Sequence, residues 1–188
     1  AAEESILARA QEAGITPEEW AYDYLVAGDG KNLILGALAN FPECRIDALE
    51  EMLKHKDCVI GLGDGGAHYG AICDASYPTF LLTHWVRKLG KISMAEAAEI
   101  LAAKPARALG FGDRGVLRVG AKADINVIDL AAMHLPAPHI ERDLPAGGRR
   151  LDQKAKGYDA TIVSGTVIRR FDQPTGALPG KLVRSGQP

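Results

Sequence analysis

Apolar positions along the chain fall into two regimes. Up to Gly110 they recur mostly at helical spacing, interrupted by short apolar runs; from Phe111 the helical period stops and β-branched runs replace it. Residues 4–13 predict a helix ended by Gly14. Thr16-Pro17-Glu18-Glu19 predicts a second start, with Thr16 as cap, Pro17 in the first turn and Glu19 reaching back. That helix carries Trp20, Tyr22, Tyr24 and Leu25 and stops near Gly28, and residues 33–35 predict a short strand. Over 45–54, Ile46, Leu49, Met52 and Leu53 share one helical face, with acids and bases on the other. Residues 58–62 form a short apolar run between a charge and a group of glycines, which reads as a buried strand. Ser76-Tyr77-Pro78 opens a helix through Leu89, stopped by Gly90. Ser93-Met94-Ala95-Glu96 is a second capping box, opening an alanine-rich helix to about Ala103 that Pro105 breaks; residues 106–109 add a last turn. Helices alternating with short strands over 1–110 are the rhythm of α/β units.

The second regime predicts a small, mostly β unit over 111–188. Residues 116–119 and 124–129 read as strands, and 131–157, rich in Pro, Gly, Arg and Asp, as a long surface loop. Thr161-Ile162-Val163-Ser164-Gly165-Thr166-Val167-Ile168 is a hairpin signal: two β-branched runs around a Ser-Gly turn. The tail from Asp172 is turn-rich, with an edge strand expected at 181–183. Three or four strands make a thin core, so further strands are expected to complete the sheet.

Composition narrows the classes. The chain has 188 residues, 47% of them hydrophobic, enough for one domain with a core. A net charge of −2 and the lack of a basic run argue against nucleic acid or an anionic membrane as partner. No apolar segment approaches the ~20 residues of a membrane span, and no signal-peptide pattern opens the chain. Cys44, Cys58 and Cys73 fit no zinc-knuckle spacing and read as reduced residues of a cytoplasmic protein.

The stretch with most chemical content follows the run at 58–62: Gly63-Asp64-Gly65-Gly66-Ala67-His68. Glycines on both sides let a ligand approach the main chain, so Asp64 is expected on a tight turn at the end of a strand, facing open space, where parallel α/β folds place their chemistry. Gly61-Leu62-Gly63-Asp64-Gly65-Gly66 also matches the dinucleotide pattern G-x-G-x-x-G. That reading fails, because the last glycine opens no amphipathic helix, Asp64 would repel a phosphate, and ~20 residues on, where an acidic ribose ligand belongs, stands Leu81-Leu82-Thr83-His84-Trp85.

Taken in order, these motifs resemble the C-terminal part of the amidohydrolase superfamily. They are the Gly-Asp-Gly-Gly-Ala-His loop, Lys104-Pro105-Ala106-Arg107, Asp113-Arg114-Gly115-Val116-Leu117-Arg118-Val119-Gly120-Ala121-Lys122-Ala123-Asp124, Ile125-Asn126-Val127-Ile128-Asp129, Val163-Ser164-Gly165-Thr166-Val167 and Thr175-Gly176-Ala177-Leu178-Pro179-Gly180. The branch they look most like is that of the D-aminoacylases (N-acyl-D-amino-acid deacylases). The resemblance spans about residues 60–184.

It implies an α/β fold: the C-terminal portion of a metal-dependent (β/α)₈ barrel over 1–110, then the C-terminal share of a small β-sandwich over 111–188. Asp64 matches the family's aspartate after the last barrel strand, which lies at the metal and shuttles a proton. The implied reaction is hydrolysis of the C–N amide bond of a small-molecule amide, an N-acyl-D-amino acid, with Zn²⁺ activating the water. Asp64 is thereby the catalytic candidate and a candidate metal ligand. His68 is the candidate to contact substrate or orient Asp64, against an equal reading as a loop histidine bonded to backbone. The family's His-x-His pair lies far upstream in its members, and this sequence has none: His55, His68, His84, His134 and His139 are scattered. The expectation is therefore the last third of such an enzyme, with the remaining ligands outside this chain. The isolated chain is expected to be inactive, and to associate with itself or with an N-terminal barrel region. Three positions depart from the family's habits: Gly63 where Ser is common before the aspartate, Ala103-Lys104 where Thr-Ser often precedes Pro-Ala, and Thr79 where Arg often follows the proline. The alternative is a non-catalytic binding or assembly module derived from this fold.

The other chemistry-bearing residues read as structural. His84 is expected to pack on its helix, Arg107 to cap carbonyls, Arg87 to make a surface salt bridge rather than hold a substrate carboxylate, and Asp124 and Asp129 to serve turns. His134 and His139 are expected in solvent, and Trp20, Tyr22 and Tyr24 in core or domain contacts.

Overall fold

The computed structural model describes residues 2–37, 39, 41, 45–61, 63–64 and 68–185. The chain divides into two compact units, residues 1–55 and 56–188, so the change of composition at Phe111 falls inside the second.

Among its described residues the first unit has three α-helices whose ends follow local chemistry. In α1 (Ile6–Ala13), the Ser5 hydroxyl accepts from the Ala8 N–H, and Gly14 closes the last turn in the left-handed region at φ 68°. α2 (Pro17–Val26) begins on the expected capping box: the Glu19 N–H donates to Thr16 Oγ1 at 3.2 Å and the Thr16 N–H to Glu19 Oε2 at 3.0 Å. Its last carbonyls are served from outside, where Asn32 Nδ2 donates to the Tyr24 and Ala27 oxygens. Ala10 is fully buried, Trp20 stacks on Tyr24 at 5.0 Å, and Tyr22 is exposed. α3 (Asp47–Lys54) takes the place expected for a helix over 45–54. Residues 33–35 are not a strand.

The second unit is helical first, then β. α4 (Tyr77–Phe80) runs directly into a wider turn over Leu81–Lys88, where hydrogen bonds span five residues, as in Leu89 N–H to His84 O at 2.9 Å. α5 (Met94–Ala98) opens on the Ser93–Glu96 capping box and continues through a similar widened turn, Glu99–Ala103, into α6 (Lys104–Ala108). Pro105 therefore does not break this helix. It sits in the first turn of α6, where its missing N–H costs least, and the widened turn ahead of it adjusts the ladder. Ala97, Ile100, Ala103 and Ala106 are buried at three-residue spacing across the junction, so one face stays inward throughout. With Leu81, Leu82, Trp85, Ile92, Met133 and Thr79 they form the core of this unit.

The β part holds a four-stranded antiparallel sheet in the order β1 (Ile125–Ile128), β4 (Tyr158–Val163), β5 (Thr166–Arg170), β6 (Gln173–Pro174), and a two-stranded ladder of β2 (His139–Leu144) with β3 (Gly148–Asp152). The expected Ser-Gly hairpin joins β4 to β5, and Ser164 (φ 50°) and Gly165 (φ 79°) both take the positive φ that a tight two-residue turn demands. β2 and β3 overturn the reading of 131–157 as one long loop. Residues 116–119 and 181–183 are not strands.

Polar latches join helices and strands within this unit. Thr79 Oγ1 pairs with Tyr158 Oη at 2.8 Å, Ser76 with Gln153, and the Leu151 N–H donates to the Tyr69 carbonyl at 2.7 Å. The Arg87 guanidinium donates to three main-chain oxygens, of Leu130, Ala131 and Met133, at 2.6–3.0 Å. It thus holds a turn, rather than making a surface salt bridge or waiting for a substrate carboxylate. Among the described residues no helix is long and apolar enough to cross a membrane.

Candidate functional site

The run at 58–61 leads into Gly63 and Asp64, but it is not the buried strand expected; Val59 is 48% exposed and, among the described residues, no strand ladder includes the run. Leu62 lies outside the described residues. A strand exists through its neighbour's N–H and C=O groups, and apolar composition alone does not supply one.

Gly63 is required by space. A Cβ on it would stand 2.6 Å from the Asp74 carbonyl oxygen and 2.8 Å from Ala75 Cα. The main chain on either side of the loop therefore meets at Gly63, which accounts for glycine at a position where the resemblance leads one to expect serine. Asp64 follows with φ 46°, exposed, in the left-handed region that Asp tolerates better than most residues. Gly65, Gly66 and Ala67 lie outside the described residues. His68 is exposed with φ 51°, and its carbonyl accepts from the Ala71 and Ile72 N–H groups at 2.8 and 3.0 Å. The far side of the loop is tied down by the Tyr69–Leu151 and Ser76–Gln153 bonds, and Gln153 Nε2 in turn donates to the Pro136 oxygen at 2.7 Å. The β2–β3 ladder thus carries the loop that follows Asp64.

Among the described residues, no group of three potential metal ligands includes Asp64. The group that does come together is His139, Glu141 and Asp152. Sequence reasoning missed the group, although His139 is exposed as expected. The His139-x-Glu141 spacing is visible in the chain, but Asp152 joins only through the β2–β3 register, which pairs it with His139. Asp152 is held below its usual pKa, chiefly by the hydrogen bond from Arg150 and further by Lys154. Asp143, clasped by the same guanidinium, is lowered for the same reason.

The remaining candidates are structural. His84 stacks on Phe80 at 4.7 Å, meets Trp85 edge-on, and is lowered in pKa first by burial and then by the Lys88 charge. Arg107 pairs with Glu99 one helical stretch away instead of capping carbonyls. Asp129 accepts from the Ala131 and Ala132 N–H groups, and Asp124 from the Ser164 N–H and from Arg114, both serving turns as expected. Cys58 and Cys73 are free thiols, and burial pushes Cys73 up, with the Asp152 and Asp74 charges adding to it; Cys44 lies outside the described residues.

The decisive comparison is with protein families. The model of the amidohydrolase family matches residues 6–169, most of the chain. The chain belongs to the amidohydrolase family. Comparison with curated proteins finds no match, and comparison with solved structures finds none. The match spans both regimes of the sequence and both units of the structure, and it includes the Asp64 loop and the β2–β3 ladder. Amidohydrolases are hydrolases acting on C–N bonds and are generally metal-dependent, so the chain's mixed helices and antiparallel strands stand within a hydrolase family.

Proposed function

We propose that this amidohydrolase chain provides the proton-shuttling carboxylate, Asp64, for hydrolysis of an amide C–N bond, and that the substrate is an N-acyl-D-amino acid. The observation that supports it is the family match running through an exposed Asp64, set on a left-handed turn directly after a glycine that tolerates no side chain. A carboxylate in that position can accept the proton of an attacking water and return it to the leaving amine, so one group serves as base and then as acid. His68, four residues on along the same loop, is proposed to contact the substrate.

The described residues gather no ligand set around Asp64, so they do not by themselves fit a catalytic zinc ion, which takes about three protein ligands and an open position. The Zn²⁺ proposed for this centre would depend on ligands from outside these 188 residues, with Asp64 at most one of them. The partner proposed is accordingly a barrel region supplying those ligands, or a second copy of the chain. A cytoplasmic location is proposed from the free thiols of Cys58 and Cys73.

The test compares wild type with Asp64→Asn in the enzyme assembled with its metal ligands, measuring kcat and bound zinc on one sample. Asn keeps the size and removes the basicity, so kcat should fall by about 10²–10⁴-fold. Zinc retained in that variant identifies a shuttle alone; zinc lost with activity identifies a ligand as well. The 188-residue chain by itself should show no measurable hydrolysis. Near-normal turnover in Asp64→Asn would overturn the proposal.

A further inference from the structure

We infer that His139, Glu141 and Asp152 form a divalent-cation site of the zinc type on the β2–β3 ladder. The site is built by register. His139 stands directly opposite Asp152 in the antiparallel pair, and Glu141, two residues along β2, projects to the same face as His139. One ligand atom from each residue lies within 4.8 Å of the other two. His139 Nε2 is 3.1 Å from Glu141 Oε1 and 4.0 Å from Asp152 Oδ2. Ligands about 2.0–2.1 Å from a tetrahedral zinc stand roughly 3.3 Å apart, so these distances bracket the required one. For the two His139 distances the adjustment is under about 1 Å, and it falls to His139, which is exposed, and Glu141, which is half-buried.

Asp152 supplies the second observation. Its Oδ1 accepts from Arg150 Nη1 at 2.8 Å, and that guanidinium is itself held by both oxygens of Asp143 at 2.7 and 2.8 Å. Its Oδ2 is buried and makes no hydrogen bond. The carboxylate is thus oriented through one oxygen and presents the other, as an outer-sphere donor orients a metal ligand. The charge near Oδ2 is the Lys154 ammonium, 3.2 Å away as an ion pair whose geometry falls short of a hydrogen bond; that side chain is 72% exposed and can swing into water at little cost. With Lys154 withdrawn, three carboxylates against one guanidinium leave two negative charges, which a divalent cation balances. One imidazole nitrogen with carboxylate oxygens suits zinc and its transition-metal neighbours better than the all-oxygen preference of calcium or magnesium. Joining β2 to β3, the ion would brace the ladder whose Leu151 N–H carries the loop after Asp64.

The test uses the metal-free 188-residue chain at neutral pH, titrated with Zn²⁺ by calorimetry and with Co²⁺ by its visible absorption. One equivalent should bind and raise Tm. His139→Gln, whose metal-free Tm is measured in the same scans, should weaken binding at least tenfold. Lys154→Met, removing the competing charge, should tighten it several-fold. No uptake, uptake undiminished in His139→Gln, or no gain in Lys154→Met would each overturn the site.

Discussion

Gly63→Ala places one carbon where the loop has no room. The new Cβ would sit 2.6 Å from Asp74 O and 2.8 Å from both Asp74 C and Ala75 Cα. Ordinary contacts of this kind begin near 3.5 Å, so the two backbone segments must separate by about 0.7–1 Å. All three opposing atoms are main chain, and no rotamer change can relieve them. Moving Asp74 also disturbs the start of α4, because its carbonyl accepts the Tyr77 N–H at 3.0 Å, and it strains the neighbouring Ser76–Gln153 bond. Overpacking of this kind costs about 1–3 kcal/mol. Gly61→Ala, two residues earlier, is the control: a Cβ there meets nothing within 4 Å. The assay is urea unfolding of the 188-residue chain followed by Trp85, which is 2% exposed and lies in the same unit as the loop, with Trp20 replaced by Phe to silence the other unit. Gly63→Ala should lose about 1–3 kcal/mol against a change below ~0.5 for Gly61→Ala. Equal stability of the two variants would refute the close approach, and with it the account of why glycine precedes Asp64.

Two further outcomes follow from the strands. Asp143 and Asp152 have folded pKa values below their unfolded ones, near 4, because Arg150 donates to both; their contribution is present above that pH and lost as pH falls through the depressed folded values. Urea stability should therefore drop below about pH 4, and Arg150→Gln should flatten that drop while lowering stability at pH 7; an unchanged acid limb would count against the pairing. Asp172 accepts the Gly157 and Tyr158 N–H groups at 3.2 and 3.1 Å, so Asp172→Ala should cost about 1–3 kcal/mol and speed amide exchange at those two positions, and unchanged exchange there would show that water replaces the carboxylate.

What the sequence made legible was local. The Thr16–Glu19 and Ser93–Glu96 capping boxes, the stop at Gly14 and the Ser164-Gly165 turn depend on residues within a few positions of one another, and all are in place. Apolar runs were less informative, because a strand also needs a partner that composition does not name. Residues 33–35 and 116–119 are mostly apolar and form no strand, whereas His139–Leu144 and Gly148–Asp152, rich in charge at Glu141, Arg142, Asp143, Arg149, Arg150 and Asp152, form a ladder. What holds that ladder is partly ionic, since Arg150 bridges Asp143 on one strand and Asp152 on its own, and a hydrophobicity pattern cannot register such a clamp.

The same distinction governs the two sites. Asp64 stood out because its glycines are adjacent in sequence, and the family match then gave the position a chemical context. The glycine that matters most sterically, Gly63, acts on residues 74 and 75, a main-chain approach that the loop's sequence, read as making room for a ligand, does not name. His139, Glu141 and Asp152 became a group only once the register was known: His139 is exposed, as expected, and a one-residue slip of β3 would send Asp152 to the opposite face, away from it. Register here is set by the turn over Pro145–Gly147, where Ala146 takes φ 59°, and by the Arg150 clamp. Arg150→Gln should accordingly weaken zinc binding even though Arg150 holds Asp152 by Oδ1 and leaves Oδ2 to the ion, while Lys154→Met strengthens it. Opposite responses from two neighbouring cations of equal charge separate a cation that positions Asp152 from one that competes for it, a contrast that a general electrostatic effect on the hairpin cannot produce.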